Sequence, residues 1–187
     1  PPTPNTAASL LATLPDGLGP AIVSLAPHAE AAMLAPVREA AAPPVVIDQF
    51  AYTFYPLLAI AVRGQLVRFG NSDNNDHNVR VTHADTGAVV VNADLRHNDE
   101  IEYRVEQTGP YTVRCEIHPA MKALILVVSH PYAAIADHRG SFRIEGIPEG
   151  SYLLTAWAAA GERILQQDVQ VRVDANGSLV MSLIASG

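Results

Sequence analysis

Short apolar segments separated by turn residues dominate the sequence between residues 45 and 129. About eight such segments occur there, and Gly, Pro, Asn and Asp fill the gaps between them. Segments of this length that are rich in Val, Ile, Phe and Tyr are typical of β strands rather than helices. At this spacing they predict an all-β domain, either a sandwich or a barrel.

A second series of strand segments follows residue 130. Residues 137–154 have the order strand, tight turn, strand, and further strands are predicted at 155–158, 168–173 and 179–184. Asn176-Gly177 is predicted to be the hairpin turn between the last two. These residues are expected to form a second β module with a core of its own.

The amino-terminal region is interpreted in three pieces. Residues 1–8 are rich in Pro, Thr and Asn and are expected to be a disordered tail. Residues 9–14 and 21–25 predict two short strands. Residues 27–42 are Ala-rich but are interrupted by Pro36, so they are interpreted as a linker.

Composition limits the possible partners. The net charge is −7 and no Lys/Arg cluster is present, which disfavours nucleic acid and anionic membranes as partners. No apolar run reaches the roughly 18 residues that a membrane span needs. The single cysteine excludes an internal disulfide.

That cysteine lies in the most informative part of the sequence. Cys115, His118 and Met121 follow one another at three-residue intervals, between two predicted strands. A thiolate, an imidazole and a thioether suit a soft metal, and a second imidazole would complete a His2Cys site with a weak axial Met. The candidate for that imidazole is His77, which follows an Asx-rich loop at residues 71–76.

Three other interpretations of Cys115 remain open at this point. It could be buried filler, a zinc ligand, or a nucleophile paired with His118. Zinc rarely binds a thioether, and nothing in the sequence requires a substrate cleft, so no catalytic residue is predicted. The remaining histidines and one methionine lack paired ligand spacing and are expected not to bind metal: His28, Met33, His83, His97, His130 and His138.

Two neighbours of the predicted ligands are given supporting roles. Asn78 is expected to hydrogen-bond the backbone near Cys115 and so to connect the two ligand segments. Pro119 and Ala120 make the surface beside His118 apolar, which indicates a docking surface for a redox partner.

The motifs at residues 64–69, 71–79 and 109–121 resemble the cupredoxins, small blue-copper proteins of the plastocyanin and amicyanin type, and bacterial plastocyanin-like proteins of the methylamine utilisation kind. The resemblance covers roughly residues 45–129, within a cupredoxin domain predicted at residues 43–130, and implies a Greek-key β sandwich holding one copper, Cu(I) or Cu(II), per chain. It implies that His77, Cys115 and His118 are the equatorial ligands and that Met121 is the axial ligand.

Residues 131–187 resemble the carboxypeptidase-regulatory-like, transthyretin-like family of small β sandwiches. Residues 9–26 fit the opening of that family, which implies a discontinuous domain into which the cupredoxin part is inserted. The alternative places residues 9–26 at the edge of the cupredoxin sheet. Pairing of residues 21–25 with strands before residue 130 would exclude the insertion.

The function implied by the resemblance is single-electron transfer between redox partners. A periplasmic or otherwise exported location is expected, with the signal peptide removed. The alternative is a copper-binding, tolerance or delivery protein in which electron transfer is incidental. A third hypothesis, in which two sandwiches serve assembly and the site is vestigial, conflicts with the intact set of four ligands.

Overall fold

The computed structural model describes residues 8–14, 20–27, 42–160, 163–173 and 179–182. These residues form strands and turns without a helix, which confirms the all-β prediction. The predicted tail, linker and Asn176-Gly177 turn lie largely outside them. The strands are β1 (Ala8–Thr13), β2 (Ala21–Pro27), β3 (Val45–Phe50), β4 (Thr53–Tyr55), β5 (Leu58–Val62), β6 (Leu66–Asn71), β7 (His77–His83), β8 (Val89–Leu95), β9 (Glu100–Arg104), β10 (Gly109–Arg114), β11 (Lys122–Val128), β12 (Ala133–Ala136), β13 (Ser141–Ile147), β14 (Gly150–Ala160), β15 (Arg163–Val173) and β16 (Leu179–Ser182).

The chain divides into two compact units. The central unit is Pro36–Ser129, and the terminal unit combines Pro1–Ala35 with His130–Gly187. The described part of the chain contains no helix that is long and apolar enough to cross a membrane.

The central unit is a sandwich of two sheets. One sheet has the strand order β4-β3-β6-β9 and the other has the order β5-β11-β10-β7-β8. The pairs β3–β6 and β5–β11 are parallel, whereas the other pairs are antiparallel. Side chains from both sheets, among them Phe69 of β6 and Val113 of β10, share one buried core. This arrangement confirms the predicted β sandwich.

Alternating burial explains why these segments form half-buried strands. In β3, Ile47 and Gln49 are buried while their neighbours are more exposed. Strand β11 is buried at almost every position, as its unbroken apolar sequence predicts. Strand β4 was not predicted, because only Phe54 is buried between residues 51 and 56.

The terminal unit has a five-stranded sheet of order β12-β2-β14-β15-β16 and a two-stranded sheet of β1 and β13. Strand β2 lies between β12 and β14 and is antiparallel to both. Both partners follow residue 130, so the amino-terminal and carboxy-terminal segments share one sheet. Leu25, Ile144, Leu154 and Val171 are among the residues of its core. Its relation to the transthyretin-like family stays a prediction.

Candidate metal centre

His77 is the first residue of β7 and directly follows the Asx-rich loop. Asn71, at the end of β6, shapes this loop: its side-chain amide donates to the carbonyls of Asn75 (2.8 Å) and Leu95 (2.9 Å), and its carbonyl accepts the Asp73 amide at 2.9 Å. Such local side-chain bonds compete with regular strand pairing and favour a compact turn. The loop therefore delivers His77 to the core with its side chain fully buried.

Cys115, His118 and Met121 lie in the short loop between β10 and β11. Two backbone bonds close this loop: the Cys115 amide donates to the Met121 carbonyl at 3.2 Å, and the Met121 amide donates to the His118 carbonyl at 2.9 Å. Cys115 and Met121 are buried in the core of the central unit, whereas His118 is half-buried. The loop thus holds three of the four predicted ligands over one turn of chain.

The three nitrogen and sulfur donors form a small triangle. His77 Nδ1 is 2.9 Å from His118 Nδ1, and Cys115 Sγ lies 4.0 Å from His77 Nδ1 and 3.7 Å from His118 Nδ1. Metal bonds of about 2.0 Å to nitrogen and 2.3 Å to sulfur would place planar donors about 3.5–3.8 Å apart. The two sulfur–nitrogen distances are close to these values, whereas the nitrogen–nitrogen distance of 2.9 Å is shorter, so one ion would bind all three donors after the imidazoles move slightly apart. No other such cluster of His, Cys, Asp and Glu occurs within the described ranges.

Asp73 orients His77. Its Oδ2 accepts the Nε2–H of His77 at 2.8 Å, so the Nδ1 lone pair faces the other two donors. A carboxylate that fixes the tautomer of a ligating histidine is a common feature of metal sites. The sequence prediction missed this pairing, although the position of Asp73, four residues before His77, was a usable signal.

The same carboxylate also holds a turn. Asp73 accepts the backbone amides of Ala51 and Tyr52, each at 2.9 Å and each with a different oxygen. Burial alone would raise the pKa of Asp73, but hydrogen bonds from the Tyr52 amide, the His77 ring and the Ala51 amide outweigh it. The pKa therefore lies below its ordinary value, and the group is ionised at neutral pH.

The Tyr52 ring packs edge-on against both imidazoles. Its centroid is 5.5 Å from that of His77 and 4.9 Å from that of His118, and both interplanar angles are 88°. Tyr52 is 49% exposed, so it contacts both the imidazoles and solvent. Nothing in the sequence pattern singled out this residue.

Asn78 connects the ligand segments in a way that differs from the prediction. Its backbone amide, rather than its side chain, donates to Cys115 Sγ at 3.3 Å. The side-chain amide donates to Asn92 at 3.1 Å and to Asp94 at 2.8 Å, and Oδ1 is buried without a hydrogen-bond partner. The link to the cysteine follows from backbone position alone.

The remaining predicted residues are placed as follows. Pro119 and Ala120 are exposed beside His118, and Ile117 is 50% exposed. His97 is outside the donor triangle, but its Nδ1–H donates to the Asp73 carbonyl at 2.8 Å and so supports the loop.

The other histidines lie outside the centre. His83, at the far end of β7, donates to the Thr108 carbonyl at 3.1 Å. His130 belongs to the terminal unit, and His138 is exposed. His28 and Met33 lie outside the described residues.

Comparisons with known proteins give several matches. Residues 128–179 match the family described as polysaccharide lyase family 4, domain II. No curated protein matches the chain. Among solved structures, a purple cupredoxin from Nitrosopumilus maritimus is 26% identical, with a TM-score of 0.39, over 44% of this chain and 98% of that one.

Two further solved structures are similar to about half of this chain. The copper-containing nitrite reductase NirK from Thermus scotoductus SA-01 is 27% identical, with a TM-score of 0.41, over 49% of this chain. The matched part is 25% of the length of that enzyme. A mutant of amicyanin in its reduced state is 18% identical, with a TM-score of 0.42, over 56% of this chain and 98% of that one.

Proposed function

We propose that this chain is a type 1 copper protein that carries single electrons and has no catalysis of its own. The observation that carries the proposal is the meeting of two imidazole nitrogens and one cysteine sulfur within 4.0 Å, at one end of a rigid sandwich. His77, Cys115 and His118 would be the equatorial ligands, and Met121 the axial one. This donor set, with a buried methionine in the same loop, favours copper over zinc.

Copper in such a set supplies a one-electron couple with little ligand rearrangement. The chain contributes rigidity and exclusion of water. His77 and Cys115 are 0% and 2% exposed. The Asn78 amide donates to the sulfur, and Asp73 fixes His77. These contacts support a site whose geometry is set by the protein.

We further propose that electrons pass through the edge of His118. Of the three triangle residues it is the one that reaches the surface, and exposed Ile117, Pro119 and Ala120 surround it. An apolar rim of this kind supports docking of a redox partner protein. An exported compartment such as the periplasm is part of the same proposal.

Copper handling is the competing function. A protein that delivers copper must release it to an acceptor, and release is easier when the ligands are accessible. The burial of His77 and Cys115 favours the carrier. Slow transfer of copper to a chelator is expected, and rapid transfer would favour delivery.

The terminal unit is proposed to be a discontinuous domain, residues 9–26 with 131–187, into which the cupredoxin domain, residues 43–130, is inserted. The position of β2 between β12 and β14 supports this arrangement. We propose the transthyretin-like family for its fold.

The experiment is titration of the apo protein with Cu(II), followed by visible and electron paramagnetic resonance spectra. We expect one copper per chain and an intense thiolate-to-copper band that is lost in Cys115→Ser. His118→Gln should weaken it, whereas His138→Gln, at an exposed histidine, should not. Met121→Leu should keep copper and raise the reduction potential. Full copper loading without the band would refute the type 1 assignment.

A further inference from the structure

The turn between β3 and β4 has an unusual composition. Two-residue hairpin turns with positive φ at both positions favour Asn-Gly, Asp-Gly or Gly-Gly. Here the two residues are Ala51, with φ of 51°, and Tyr52, with φ of 58°. Residues with a Cβ rarely adopt this conformation. Strain of this kind persists where surrounding contacts over-determine it, and it concentrates at functional sites.

The contacts that hold this turn come from the metal centre. Asp73 accepts both turn amides while it also accepts the Nε2–H of His77. One carboxylate therefore fixes the backbone of the turn relative to a ligand ring. The turn carries the Tyr52 ring, whose edge-on contacts reach His77 and His118 together.

We propose that Tyr52 is a positioning residue of the metal centre, clamped by Asp73, whose ring confines the two imidazoles and shields them from solvent. This inference rests on the proposed copper function and adds how the protein retains the copper. His118 is the half-buried ligand of the triangle, and its ring centroid lies 4.9 Å from that of Tyr52. Without the ring, His118 could turn away from the donor triangle.

The test compares three aromatic variants. Tyr52→Ala removes the ring, Tyr52→Phe keeps it without the hydroxyl, and Tyr55→Ala removes an aromatic side chain that is 73% exposed. In the copper-loaded protein, transfer of Cu(I) to an excess of chelator should be about tenfold or more faster in Tyr52→Ala, as for other outer-shell residues of metal sites. Tyr52→Phe and Tyr55→Ala should match the parent.

A second readout needs no metal. In the apo protein, NMR should show through-space contacts between the rings of Tyr52 and His118, and Tyr52→Ala should shift and broaden the His118 ring signals. Asp73→Asn loses one of the two acceptor oxygens, so it should shift the Tyr52 amide and the His118 ring together. A purely structural Tyr52 would lower the melting temperature without changing His118.

The outcomes separate the two proposals. If the parent binds copper but Tyr52→Ala releases it at the parent rate, the positioning role is wrong and the copper function stands. If the parent takes up no copper, the copper function fails. The apo spectra then still decide the packing: unchanged His118 signals in Tyr52→Ala overturn it, and altered signals support it.

Discussion

The two units of this chain use the same structural devices but differ in where they bury polar groups. Each has a Gly-x-Tyr sequence at the start of a central strand, Gly109-Pro-Tyr111 in one and Gly150-Ser-Tyr152 in the other. In each, the tyrosine hydroxyl donates to a carbonyl four residues earlier, that of Gln107 at 3.0 Å and that of Pro148 at 2.8 Å. This corner resembles the tyrosine corner of Greek-key sandwiches.

The difference appears at the end of the central sandwich. Three fully or almost fully buried polar residues, Asn71, His77 and Asn78, gather there, with Asp73 beside them. Buried polar groups are costly unless they are bonded, and each of the three side chains makes at least one hydrogen bond, although Asn78 Oδ1 accepts none. In the terminal unit, the buried polar side chains among the described residues are Ser24 and Thr155.

The comparison indicates that the sandwich alone does not define a site. Both units are built by the same alternation of apolar and polar residues. Among the described residues, the end of the central unit that holds the donor triangle combines a fully buried imidazole, His77, with a strained turn at Ala51 and Tyr52. That local departure from the folding rules marks where function has shaped the sequence.

The largest expected effect tests which core β2 belongs to. Leu154→Ala in the terminal core and Ile125→Ala in the central core each remove a buried side chain, 2% and 0% exposed, at a cost of about 2–5 kcal/mol. Because β2 pairs with β12 and β14, Leu154→Ala should strongly accelerate hydrogen exchange of the β2 amides, whereas Ile125→Ala should not. Faster exchange of β2 in Ile125→Ala alone would contradict the insertion.

Residue type and spacing were enough to predict that His77, Cys115 and His118 meet at one point. Cys115 and His118 stand three residues apart, and His77 follows an Asx-rich loop, so chemistry and turn signals pointed to them directly. The cores were also predictable, because alternation and apolar runs define strands such as β3 and β11.

The outer contacts of the centre were not predictable in the same way. Tyr52 reaches the imidazoles only because β4 pairs back on β3, and β4 has three residues and one buried side chain. Ala51-Tyr52 carries none of the usual signals for its turn, since its conformation depends on Asp73, which is distant in sequence. Tertiary contacts decide such positions, and local patterns do not contain them.

A smaller effect tests whether the two corners are equivalent. Tyr111→Phe and Tyr152→Phe each remove one hydroxyl bond, which is worth about 0.5–1.5 kcal/mol of unfolding free energy. Urea unfolding followed by NMR signals of each core should show Tyr111→Phe acting on the central unit and Tyr152→Phe on the terminal one. Exposed Tyr55→Phe is the control and should change neither. If the two variants lose unfolding free energy by amounts that differ by more than this range, the two tyrosine corners differ in role.

The smallest effect concerns a histidine of the terminal unit. Burial lowers the pKa of His130 below its ordinary 6.5, and its ring bonds Ser24 at 3.4 Å and accepts the Tyr132 amide at 3.3 Å. Below about pH 6.5 the unfolded chain therefore holds more protons than the folded chain. The contribution of His130 to the free energy of unfolding is complete above that pH, and it falls as the pH drops toward the folded pKa. Urea unfolding of the terminal unit should be measured between about pH 5 and 7.5. The slope of its unfolding free energy against pH should correspond to the uptake of up to about one proton on unfolding. His130→Gln should flatten this dependence and exposed His138→Gln should leave it intact, whereas an equal slope in His130→Gln would assign the effect to another group.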